Sequence, residues 1–105
     1  MAERDRRVIW APRARRDLLD VWRYYAHVAS PEIADRLLRD IHQAGNGLSE
    51  QALMWRARDD VMPGLRSVVV HPYVLFYRVS ETTVEIARVL HGRRNLPAIF
   101  GKHDS

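Results

Sequence analysis

Cysteine is absent from the 105 residues, which excludes disulfides, thiol nucleophiles and cysteine-based zinc sites. Lysine is nearly absent: among seventeen basic residues only Lys102 is a lysine, and the rest are arginine. No apolar run approaches the roughly 20 residues that a membrane-crossing helix needs, so a spanning helix is excluded. No long apolar stretch follows Met1 to Arg7, so no secretory signal is expected and a cytoplasmic location is. The five histidines are at least twelve positions apart and form no i,i+4 pair, so neither a metal site nor a cofactor is expected. Gly45-Asn46-Gly47 lacks the third glycine of a dinucleotide fingerprint. Ser67 and His71 lack the Gly-x-Ser-x-Gly turn of a hydrolase.

What is present reads as one folded domain spanning 1–105, with an ordered core over about 8–100. The composition is 47% hydrophobic and 29% charged, and a chain of this size buries about 65% of its surface on folding. The net charge of +4 favours an acidic partner, whether nucleic acid or acidic peptide.

Val8-Ile9-Trp10 predicts a short first strand. Pro12 suits a helix start, and Leu18, Val21, Trp22, Tyr25 and Ala29 recur at helical spacing. Ser30-Pro31-Glu32 is a second helix start, with a capping hydroxyl, a proline and an early carboxylate. Ile33, Leu37, Ile41, Ala44 and Leu48 carry that helix onward, and Gly45-Asn46-Gly47 should end or fray it. Three β-rich runs follow at 65–70, 73–79 and 83–90. Gaps of two or three residues permit only antiparallel pairing, because a parallel return needs a long crossover. The predicted fold is α+β: an N-terminal strand and a helical hairpin on one face of a small antiparallel sheet, with the other face partly open. Along the last strand Val84, Ile86, Arg88 and Leu90 alternate with Glu85, Ala87 and Val89, which sets Arg88 among apolar groups.

Arg66, Arg78, Arg88, Arg93 and Arg94, with His71 and His91, lie on or just after these strands. Clustered guanidiniums need neutralising. Either they pair internally with Glu85, Asp59, Asp60 and Glu81, or they form a surface that meets an anion. Trp10, Trp22 and Trp55 are expected in the core or lining a groove.

Five segments in order give a resemblance. Ala14-x-x-Asp17-Leu18 with Trp22-x-x-Tyr25, then Ser30-Pro31-x-x-Ala34, Pro63-Gly64-Leu65-Arg66-Ser67, Phe76-Tyr77-Arg78 and Arg88-Val89-Leu90-His91-Gly92-Arg93-Arg94, together resemble the ParE branch of the RelE/ParE toxin superfamily over about 8–100. The resemblance implies the toxin of a type II toxin–antitoxin pair. It implies inhibition of DNA gyrase by protein contact, and neutralisation by a ParD-like antitoxin with an acidic, flexible C-terminal region. Operator DNA is then reached only through the antitoxin. RelE-like members instead cut messenger RNA on the ribosome, and Phe100 falls where those nucleases carry a tyrosine. Phenylalanine cannot exchange a proton, so a non-enzymatic toxin is the expectation. The alternatives are an mRNA endonuclease using Arg66, Arg78, His91 and Arg93, or a nontoxic nucleic-acid-binding module. Asn95 departs from the aspartate that commonly follows the arginine pair in the family.

Two sites are expected. A groove between the hairpin and the sheet, edged by Trp22, Tyr25, Leu37 and Ile41, would hold the antitoxin. Arg66, Arg78, Arg88, His91, Arg93 and Arg94 would contact target or antitoxin, with Arg93 and Arg94 serving binding rather than stability.

Overall fold

A proline and a serine set the two long helices. Pro12 opens α1 (Pro12–Val28) without a side-chain cap from Ala11. Ser30 caps α2 (Pro31–Asn46), its hydroxyl accepting the Ile33 N–H at 3.1 Å. Before them runs β1 (Arg7–Trp10), and after them a short α3 (Leu48–Gln51). The chain then forms β2 (Arg56–Ala57), β3 (Arg66–Val70), β4 (Tyr73–Val79), β5 (Thr83–His91) and a last turn of helix, α4 (Leu96–Phe100). This computed structural model describes residues 5–94 and 96–100. Asn95 and Lys102 lie outside the described residues.

The sheet has five strands in the order β1-β5-β4-β3-β2. The three long strands pair antiparallel, as their short connections require. His71–Pro72, with a cis peptide bond, turns β3 into β4. Two features escape local pattern: β1 joins the sheet parallel to β5, and the two-residue β2 adds an antiparallel edge to β3.

Two apolar clusters lie on opposite faces of the sheet. The larger joins Ala14, Leu18 and Val21 of α1 and Ile41 of α2 to Leu75, Tyr77, Val84, Ile86 and Val89. The smaller gathers Leu65, Phe76, Leu90 and Phe100, with Val61, Met62, Leu96 and Ile99 packed against it. The second face is therefore partly roofed by the segment before β3 and by α4, whereas Val69 on β3 stays exposed.

α2 ends within Gly45-Asn46-Gly47, as expected, with Gly47 as its C-cap, and Gly45 leaves room for Trp10. A Cβ at Gly45 would collide with the Trp10 ring and the Ile86 side chain. The Trp10 indole N–H then reaches Asn46 Oδ1 at 3.2 Å. Before β3, Gly64 takes a φ of +80°, a left-handed value that glycine adopts without strain. Its N–H donates to Asp59 Oδ1 at 2.9 Å.

The alternation expected for β5 is broken. Tyr77 pairs with Ile86 and Phe76 with Arg88, leaving Ala87 as an extra residue without a partner. The bulge separates the row read from sequence: Val84 and Ile86 join Val89 under the helices, and Leu90 joins Phe76 in the other cluster.

Candidate partner-binding surfaces

The six basic residues expected to form one surface sit in separate places. Arg88 is a structural group. β1 pairs with β5 only as far as Ile86, and Ala11 N–H donates to Ile86 O at 2.9 Å as the chain leaves for α1. Beyond that point Asp17 of α1 takes the place of a strand. Its carboxylate accepts the Val89 N–H at 2.9 Å and two Arg88 guanidinium N–H groups at 2.9 and 3.0 Å. Both side chains are largely buried, at 16% and 12% exposure for Arg88 and Asp17. The bidentate hydrogen bond raises the Arg88 pKa above its ordinary value, despite burial.

Arg66 is also committed, its guanidinium donating to the carbonyls of Leu53 and Trp55. Arg78 lines a cavity of about 240 Å³ between the start of α1 and α4, together with Arg13, Glu85 and Phe100. His91, Arg93 and Arg94 lie at the opposite end of β5. There the Arg93 N–H donates to His91 Nδ1 at 3.1 Å, and both arginines are exposed. The internal pairing expected with Glu85 and Glu81 is not seen among the described residues. Asp17 takes Arg88, and Arg58 takes Asp60 at 3.2 Å, holding that carboxyl below its ordinary range.

The residues expected to edge a groove are partly absorbed by the helix–sheet interface. Ile41 has no exposed surface and belongs to the core, because α2 turns that face onto the sheet. Leu37 and Tyr25 are half-buried against the same core. The Trp22 indole N–H donates to Asp35 Oδ1 at 2.8 Å, clamping α1 to α2. Tyr25 stands edge-on to Tyr73, 6.3 Å between ring centres, and Tyr73 is edge-on to His91 at 5.6 Å. Burial, with Tyr25 beside it, pushes the Tyr73 phenol up to about 12. A cavity of about 160 Å³ lies there, lined by Asp20, Tyr73, His91 and Arg94 among others.

A family model described as the ParE toxin of the type II toxin–antitoxin system parDE matches residues 8–96. The chain belongs to the ParE toxin family. Toxin ParE3 of Caulobacter vibrioides is 36% identical over 86 residues, covering 82% of this chain and 86% of that protein. Toxin ParE1 of Mycobacterium tuberculosis is 30% identical over 91 residues, covering 86% and 93%. Toxin RelE3 of C. vibrioides is 38% identical over 81 residues, covering 76% and 87%. The fold is shared with a solved chain from a chromosomal ParDE system of P. aeruginosa, with a TM-score of 0.74 and 24% identity over 82% of this chain and 95% of that one. A chain of the RelBE2 toxin–antitoxin complex of M. tuberculosis superposes with a TM-score of 0.62 and 27% identity, covering 83% and 98%.

Within this ParE-family fold, sequence reasoning missed two features. Asp17 was visible only as a motif letter, and its partners lie 71 and 72 positions away. Trp55, expected in the core or lining a groove, is instead exposed beside Leu53 and Met54 on a turn that the sequence reading did not single out. Among the described residues no helix is long and apolar enough to cross a membrane.

Proposed function

We propose that this ParE-family toxin arrests growth by binding DNA gyrase in the cytoplasm, without cleaving RNA. In this reading a ParD-like antitoxin with an acidic, flexible C-terminal region holds it inactive. That segment fills the strip edged by Trp22, Tyr25 and Leu37, while the antitoxin's N-terminal region binds operator DNA.

The observation that carries the reading is Phe100. By the family resemblance it falls where RelE-like nucleases carry a tyrosine, and it is buried edge-on against Phe76 at 5.1 Å between ring centres. A phenyl ring neither gives nor takes a proton. RNA cleavage needs a base for the 2′-hydroxyl, an acid for the leaving oxygen and cations around one phosphate. The side chains available for those roles are dispersed. His91 pairs with Tyr73 at one end of the β4–β5 ladder and Arg78 with Glu85 near the other. Five residues of β4 separate them, roughly 17 Å along the strand. Arg66 is turned toward the loop after α3.

The test is purified chain added to gyrase and to translating ribosomes in parallel. Loss of supercoiling with intact message is the expected result. Cleaved message with undisturbed supercoiling would overturn the reading.

A further inference from the structure

The segment after α3 uses core side chains to hold apolar residues out in solvent. Leu53, Met54 and Trp55 are 51%, 64% and 39% exposed. The backbone beneath them is pinned at three carbonyls. The hydroxyl of the buried Tyr77 donates to Ala52 O at 2.7 Å, and Arg66 Nη2 donates to the carbonyls of Leu53 and Trp55. Arg66 Nε is meanwhile buried with no hydrogen-bond partner among the described residues. The guanidinium is thus committed to the loop while one of its own donors goes unsatisfied, a cost that a merely connecting loop does not require. Surface loops are ordinarily polar, and contiguous exposed apolar side chains mark interaction sites. The next residue, Arg56, is exposed on β2. Tryptophan, methionine and arginine are the residue types enriched at the centres of protein interfaces.

We propose that the Leu53–Trp55 turn is a preformed knob that docks into the toxin's target, a folded protein offering an apolar pocket rimmed by carboxylates. This rests on the reading that the chain acts by protein contact. Shape selects the occupant. A disordered tail gains affinity by filling a groove or extending a strand. This turn presents three exposed apolar side chains on a pinned backbone, and the two-residue β2 beside it is too short an edge to seat an added strand. A rigid apolar turn instead suits a pocket, because its ordering cost is met before binding. Arg56 and the net charge of +4 call for acidic groups around that pocket.

The experiment uses the full chain carrying Met54→Ser and Trp55→Ala, compared with the parent by growth arrest on induction, thermal melting, size in solution and affinity for a ParD-like antitoxin. Arrest should weaken about tenfold or more, as when interface anchors are removed. Melting, size and antitoxin affinity should stay at parental values. A second variant, Arg66→Met, keeps the apolar side chains of the turn but has no donor for either carbonyl. It should weaken arrest about threefold through lost pre-organisation. Arrest at parental strength in the double variant overturns the proposal. An equal loss of antitoxin affinity also overturns it, by giving the knob to the antitoxin, and a parental dimer that falls apart gives it to a second copy. A parent that arrests growth while supercoiling is unaffected breaks the gyrase reading alone, since arrest reports on any protein target. A parent that arrests nothing overturns both.

Discussion

Arg88 and Arg94 are six positions apart on β5 and its exit, yet their surroundings differ. Arg88 is clasped by Asp17 and mostly buried. Arg94 is exposed, and no ion pair forms on it among the described residues. Residue type and strand do not distinguish them. What differs is whether a distant element brings a carboxylate within pairing distance. α1 passes the end of β1 and supplies one to Arg88, whereas Asp20 of α1 shares a cavity with Arg94 without an ion pair forming among the described residues. An arginine near a sheet edge is therefore structural where a carboxylate closes that edge, and free for a partner where none does.

The largest effect expected from disturbing this contrast is at Asp17. Asp17→Ala leaves Arg88 without its counter-charge and the Val89 N–H without an acceptor. Loss of one partner of a buried pair costs about 3–5 kcal/mol, readable by urea unfolding. Arg88→Ala should cost less, about 2 kcal/mol, because Asp17 keeps the Val89 N–H. The double variant should then fall short of additivity by about 1–3 kcal/mol. Full additivity would mean the two side chains do not act together.

A smaller effect sharpens the contrast near Arg94. Tyr73 titrates at about 12, above the ordinary phenol value of 10.0. Between those values the folded state holds a proton that the unfolded chain has released, so stability falls as pH rises through that window and is complete below it. Unfolding titrations should show this alkaline loss in the parent and a reduced one in Tyr73→Phe. An identical profile in both would place the titrating group elsewhere.

Much of this was readable from the residues. Ser30-Pro31 announces α2, and short gaps fix β3, β4 and β5 as antiparallel. The misreadings have physical causes. A period of two places Arg88 with Val84 and Ile86, whereas the Ala87 bulge moves it to the other side, and nothing local marks a bulge. Ile41 fits a groove edge by helical spacing, but the height at which α2 crosses the sheet decides its burial. Val8 to Trp10 announce β1, but its parallel place beside β5, like β2 and α4 as a whole, arises from long-range pairing or packing that a single sequence does not display. At the site, Trp55 is expected in the core or lining a groove because hydrophobicity reports a preference for burial. It says nothing of the Tyr77 and Arg66 hydrogen bonds that oppose it.

We propose that the arginines beyond β5 serve a partner and leave the fold alone. The direct measurement is thermal melting beside growth arrest for Arg93→Ala/Arg94→Ala, with Arg88→Ala as reference. Exposed substitutions of this kind cost about 0.5 kcal/mol each. The double variant should melt within a few degrees of the parent, roughly 4–8 °C per kcal/mol for a domain this size, and arrest growth far more weakly. A variant that melts as low as Arg88→Ala, or one that arrests growth as strongly as the parent, would contradict the account.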